Sequence, residues 1–168
     1  MVIREIGTQD TQHFFEMMCR LDSETEFMMY EPGERLEKSA DLSTLKNTIN
    51  RAVSGGDLLL VAEHDGGELA GFLWAERGTL NRVRHTAYIV TGIRQAFRHQ
   101  GLGTAFFKKA DEWAAGAQIT RLELTVECQN TAALSLYEHA GFVVEGTRRR
   151  SMKVNGRYVD EYYMAKLF

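Results

Sequence analysis

Residues His85–Ile93 form a β run that ends in a glycine-bearing turn, and a helical pattern over Leu102–Ala115 follows at once. This junction limits the fold more than any other stretch, because a strand feeding a helix in this way asks for a sheet on which the helix can lie. Within Arg98-His99-Gln100-Gly101-Leu102-Gly103-Thr104 the glycines stand at the helix entrance. There they let backbone N–H groups come close to an anion, and the first helical turn leaves its amides without partners. The helix dipole adds about 0.3–1 kcal/mol for a negative guest. A diphosphate suits such an entrance, with Arg98 for a charge-assisted contact and Thr104 for a hydroxyl.

Other phosphate-binding loops are weighed against the same residues. No lysine followed by Ser or Thr comes after the last glycine, so a P-loop is excluded. A dinucleotide fingerprint wants a third glycine where Phe106 stands, and its glycines follow the strand directly; here several residues intervene. Glu123 does fall about 20 residues further on, so spacing alone leaves that alternative open. Glycines serving only a tight turn are the other alternative for an isolated pair.

The rest of the chain reads as strands, then helix–strand alternation, then a hairpin. A short strand over Val2–Ile6 precedes a helix from about Thr8 to Leu21, with Phe14, Phe15, Met17, Met18 and Leu21 at helical spacing. Asp22–Arg35 reads as an irregular acidic loop and Lys38–Val53 as a second helix. Strands are expected over Leu58–Glu63 and Leu69–Glu76, joined through Asp65-Gly66-Gly67. Leu122–Val126 is a β run and Thr131–His139 a short helix. Phe142–Lys153 and Arg157–Leu167 close the chain as a hairpin around Asn155-Gly156. The expected architecture is one α/β domain over residues 1–168, with a mixed sheet flanked by helices rather than a doubly wound parallel one.

Composition narrows the partners. A net charge of −3 does not suggest nucleic acid or an anionic membrane surface. No apolar run reaches the ~18–20 residues of a membrane span, and the first residues lack the apolar stretch of an export signal. Cys19 and Cys128 are read as free thiols and the chain as cytoplasmic; the histidines show no metal-ligand spacing, so no metal is expected.

A second informative segment runs Leu124-Thr125-Val126-Glu127-Cys128-Gln129-Asn130, then to Tyr137, Gly141 and Phe142. Asn130 suits a helix N-cap and Gly141 a C-cap. Together the two segments resemble the GCN5-related N-acetyltransferases (GNAT). Arg98-x-x-Gly101-x-Gly103 matches that family's Gln/Arg-x-x-Gly-x-Gly/Ala motif. Asn130, Ala133, Leu136, Tyr137, Gly141 and Phe142 match its Asn-x-x-Ala-x-x-Leu-Tyr-x-x-x-Gly-Phe pattern.

The resemblance implies a mostly antiparallel central sheet, splayed between the strands ending near 93 and 126, with acetyl-coenzyme A in the gap. It implies that the amides of His99, Gln100, Gly101, Leu102, Gly103 and Thr104 hold the pyrophosphate, beside Arg98. Gly92 and Ile93 would offer backbone groups to the pantetheine arm, the Ile93 amide also facing the developing oxyanion. Asn130 and Ala133 would border the coenzyme, and Tyr137 would protonate the departing thiolate. The reaction implied is direct attack of a neutral amine through a tetrahedral intermediate.

The closing segment, Glu145–Met164, is similar to bacterial branches that act on amino acids, ribosomal-protein N-termini or polyamines. The small, amino-acid-like amine is favoured, with a peptide N-terminus or a silent acyl-coenzyme A sensor as the other readings. A homodimer is compatible with the resemblance. In the ribosomal branch a glutamate often stands five residues before the motif asparagine; here that position is Thr125. The remaining candidates to line the acceptor or serve as its base are Glu24, Glu26, Tyr30, Glu31, Glu76 and His85. Cys128 as a nucleophile and Arg148-Arg149-Arg150 as a 3′-phosphate contact are weighed against a packed thiol and an exposed strand face.

Overall fold

The computed structural model describes residues 1–39 and 41–168. Seven strands form one sheet in the order β1-β2-β3-β4-β5-β7-β6. They are β1 (Val2–Glu5), β2 (Leu58–Glu63), β3 (Leu69–Arg77), β4 (Thr86–Ile93), β5 (Arg121–Glu127), β6 (Val143–Val154) and β7 (Arg157–Leu167). Only β4 and β5 run parallel; every other neighbouring pair is antiparallel. The helices are α1 (Thr11–Glu24), α2 (Glu34–Lys38), α3 (Leu42–Gly55), α4 (Leu102–Gly116) and α5 (Thr131–His139).

Strand alternation divides the core between the two faces of the sheet. On one face Phe106, Phe107 and Ala110 of α4 and Tyr137 of α5 pack on Leu73, Ile89, Leu122 and Leu124. On the other, Phe14, Met17, Met18 and Leu21 of α1 and Ile49 and Ala52 of α3 pack on Leu59, Val61 and Phe72. These are the α4 face and the α1 face. Among the described residues no helix is long and apolar enough to cross a membrane.

The parallel contact is what shapes the site. β4 and β5 pair only at Thr86↔Arg121, Ala87↔Leu122 and Tyr88↔Glu123. Beyond Tyr88 the strands part and leave a wedge, as the resemblance implied. Just past the last pair the Tyr88 hydroxyl meets Thr125 Oγ1 at 2.8 Å and ties the two strands together where they begin to diverge.

Two expectations shift along the chain. The acidic stretch Asp22–Arg35 is not wholly irregular, since α1 runs on to Glu24 and α2 begins at Glu34. Asp22, 1% exposed, fixes this region by accepting from Arg35 Nε at 2.6 Å and Nη2 at 3.0 Å. The helix expected over Lys38–Val53 starts later, at Leu42, because the Asp41 side chain accepts from the Ser43 amide at 2.9 Å and caps it there. Ala40, inside the expected span, lies outside the described residues.

Candidate active site

Along β4 the backbone groups alternate in direction. Arg94 N–H donates to Ala70 O at 2.9 Å, which makes Gly71↔Ile93 a pair without mutual hydrogen bonds. The N–H and C=O of Ile93, and by the same alternation those of Thr91, therefore point into the wedge. The Ile93 carbonyl is met by Arg98 Nε at 3.0 Å, which leaves its amide facing the gap. Gly92 turns its polar groups toward β3 and enters the site through its missing side chain. A Cβ there would come within 3.0 Å of Leu21 and 3.2 Å of Phe72, with the Met28 sulfur at 3.5 Å.

At the mouth of the wedge, α4 opens at Gly101, whose φ of +79° is a left-handed conformation that favours glycine. Ala105 donates to Gly101 O at 3.0 Å, so the amides before it belong to the unpaired first turn. His99, Gln100 and Thr104 are exposed around this turn, while Leu102 is buried under it. Gly103 meets a different constraint. A Cβ at that position would lie 2.6 Å from Leu136 Cδ2, so this glycine lets α4 and α5 close on each other.

α5 carries the second motif. Asn130 Oδ1 accepts from the Ala133 amide at 3.2 Å and caps the helix. Tyr137 lies on the α4 face, 9% exposed, in an aromatic group with Phe107 and Phe142. Burial first, and then the nearby Tyr88, push its hydroxyl up to about 12. It is thus held protonated through the neutral range.

The α1 face of the wedge is acidic. Glu127 and Glu161 are each 5% exposed and sit directly opposite one another on β5 and β7. Cys128 N–H donates to Asp160 O at 3.0 Å, which makes Glu127↔Glu161 a pair of the closer, non-hydrogen-bonded kind. Arg148 Nη1 donates to Glu161 Oε2 at 3.2 Å. Among the described residues Glu127 Oε1 is buried without a hydrogen-bond partner. Burial, then Glu161, then Glu26 raise the Glu127 carboxyl above the ordinary carboxylate range.

The acceptor candidates separate in space. Glu26 is exposed on the α1–α2 connection and adds negative potential at Glu127. Tyr30 stacks under the Arg35 guanidinium at 4.3 Å, and the Glu31 amide donates to Glu34 at the start of α2. Glu76 is exposed on β3 opposite Tyr88, and His85 precedes β4 at the closed end of the sheet, away from the wedge mouth. Glu24 is committed elsewhere, clamping Arg94 at 3.0 Å and the Gln95 amide at 2.6 Å. Arg148 is held by Glu161 and Arg150 lies 5.4 Å over Tyr158, on strands beyond β5. Glu127 and Glu161 were absent from the sequence candidates. One available signal is that Glu127 shares Thr125's side of β5, one pleat nearer the loop.

Residues 15–142 match the Acetyltransferase (GNAT) family. The chain belongs to that family. It is 31% identical, with a TM-score of 0.88, to an acetyltransferase of the GNAT family from Streptococcus pneumoniae, covering 99% of this chain and 98% of that one. It is 30% identical over 105 residues to the L-amino acid N-acetyltransferase AaaT of Escherichia coli, a match covering 60% of this chain and 63% of that protein's length. It is 31% identical over 119 residues to the N-alpha-acetyltransferase RimI of Mycobacterium tuberculosis, covering 70% and 71%. The fold also matches that of yncA from Salmonella typhimurium, a structure with its cofactor acetyl-CoA, at a TM-score of 0.85 and 19% identity. The mixed sheet with its splayed β4 and β5 is accordingly the GNAT fold.

Proposed function

We propose that this GNAT protein transfers an acetyl group from acetyl-coenzyme A to the primary amine of a small, amino-acid-like acceptor. The observation that carries this reading is the wedge itself. It combines an unpaired helix entrance at its mouth, inward-facing backbone groups of Thr91 and Ile93, and a protonated Tyr137 on one side. These features fit an extended thioester with a diphosphate at one end. The amides of Leu102, Gly103 and Thr104, with Arg98 beside them, would hold the diphosphate. Thr91 and Ile93 would bond the arm as an added strand does.

Bound acetyl-coenzyme A supplies an activated acetyl carbonyl and a thiol leaving group. The chain's own part is placement, oxyanion stabilisation and proton handling. The Ile93 amide donates to the oxygen that gains charge. The Tyr137 hydroxyl donates to the sulfur as it leaves. Complete transfer from a group near 12 to a thiolate of reference pKa ~8.5 is uphill by about 4–5 kcal/mol. Tyr137 therefore acts as a hydrogen-bond donor to the departing thiolate and keeps its own proton.

The amino-acid-like acceptor is supported by the relation to an L-amino acid N-acetyltransferase. Thr125 stands where the ribosomal branch often carries its glutamate, and its hydroxyl is engaged by Tyr88, which disfavours a base at that position. The experiment is coenzyme A release with free amino acids, N-terminal peptides and polyamines offered separately. Release with free amino acids above hydrolysis supports the reading, and release only with peptides or polyamines replaces its acceptor.

A further inference from the structure

Two buried carboxylates directly opposite one another across a ladder repel, and the repulsion is relieved by a proton held on one of them or by a counterion. Glu161 has one in Arg148. Among the described residues Glu127 has none, and its Oε1 is buried without a partner. The charged groups facing Glu127 are Glu161 on β7, with Arg148 of β6 behind it, and Glu26 from the α1–α2 connection. Two opposed carboxylates, under the added negative field of the exposed Glu26, thus share one guanidinium among the described residues, and the complement that would satisfy Glu127 is a cation with N–H donors.

The position is equally specific. Gly92 and Glu127 each lie four residues past the last β4–β5 pair, Tyr88↔Glu123, and so flank the opening at one level. Glu127 is on the α1 face, whereas Tyr137 packs on the α4 face. A group entering between them would have a carboxylate on one side and a hydroxyl on the other.

We infer that Glu127 Oε1, backed by Glu161 and Glu26, is the site that receives the acceptor as a primary ammonium ion and takes its first proton. This rests on the acetyl-transfer reading above and assigns that reaction its general base. One proton passes from R–NH3+ to Glu127 and leaves R–NH2 with a free electron pair. The amine then forms its C–N bond at the acetyl carbon and displaces the thiolate, with loss of the C–S bond. The second amine proton passes to solvent, which protonates the thiolate once it has left under the Tyr137 hydrogen bond, and Glu127 returns the first to water. A carboxyl raised toward neutrality by burial and by its neighbours suits this exchange better than an ordinary one.

The test has two arms. In the coenzyme-free protein labelled with 13Cδ-glutamate, the Glu127 signal, assigned with Glu127→Gln, is titrated alone, with ethylammonium and with tetramethylammonium. A midpoint above the ordinary carboxylate range that falls with ethylammonium but not with tetramethylammonium supports the site; an unresponsive midpoint, or equal responses, overturns it. In the second arm Glu127→Gln should lower kcat/KM at pH 7 by about 100-fold or more. Its residual rate should rise about tenfold per pH unit, because solution must now deliver a neutral amine, while acetyl-coenzyme A affinity stays within twofold. Activity within twofold of wild type overturns Glu127 as the base even where the protein acetylates amines. Should wild type neither bind acetyl-coenzyme A nor acetylate any amine, the functional reading fails by itself, and the titration still decides the ammonium site.

Discussion

Replacing Tyr137 by Phe removes one oxygen and leaves the ring that packs against Phe107 and Phe142. The structure sets the size of the effect. With its hydroxyl pushed up to about 12, Tyr137 does not ionise near neutrality and gives the departing sulfur a charge-assisted hydrogen bond rather than a whole proton. Such bonds are worth about 1.5–3 kcal/mol, equivalent to roughly a 10–150-fold fall in kcat. The KM for acetyl-coenzyme A should stay near wild type, since the bond forms as the sulfur gains charge. Coenzyme A release, followed continuously with a thiol reagent, reads both constants. The same hydroxyl has a signature in stability. Its folded pKa lies above the unfolded value near 10, so the native state keeps a proton that the unfolded chain gives up. That contribution is fully present below pH 10 and is lost as pH rises toward 12. Across that window wild type should lose about 2–3 kcal/mol more than Tyr137→Phe in urea unfolding. A variant with kcat within twofold of wild type, or with the same alkaline loss of stability, would refute the reasoning.

Three further outcomes follow from the packing and the ion pairs. Gly103→Ala places a Cβ 2.6 Å from Leu136 Cδ2 and should cost about 1–2 kcal/mol after its helix-propensity gain, read by urea unfolding; adding Leu136→Ala should recover part of that loss. Gly101→Ala, at φ +79°, should cost about 1–2 kcal/mol in the same assay and weaken acetyl-coenzyme A binding measured by calorimetry. Asp10 accepts from Arg4 through two bonds of 2.8 Å, and Arg4 is the first cause of its lowered pKa, ahead of the Gly7 amide. The stability this supplies is present above the unfolded value near 4 and is lost as pH falls through the folded one. Asp10→Asn should therefore cost about 1–3 kcal/mol at pH 7 and flatten the acid unfolding profile below pH 4.

What could be read from the chain was what local chemistry decides. Asn155 and Gly156 take φ values of 47° and 79°, the pair of positive angles that a two-residue hairpin turn demands, so the last hairpin was visible in two letters. Asn130 was visible as a cap because capping is short-range, whereas Tyr137 was visible as a site residue only through the family motif it matches. Strand order was not. β7 inserts between β5 and β6, and no local signal specifies that insertion. Glu127 and Glu161 become opposite neighbours only through it, which is why a residue that reads as a strand-end charge proves to be a buried, unpaired carboxylate. Gly103 reads naturally as part of a phosphate loop, yet its steric reason is Leu136, a residue 33 positions away. α2 has five residues, too few for a period to declare itself.

The central claim is acetyl transfer to a small primary amine, and coenzyme A release from acetyl-coenzyme A in the presence of free amino acids tests it most directly. The account predicts amine-dependent release well above hydrolysis, with the N-acetyl amino acid as product by mass spectrometry. Tight binding of acetyl-coenzyme A with no release for any amine offered would contradict it.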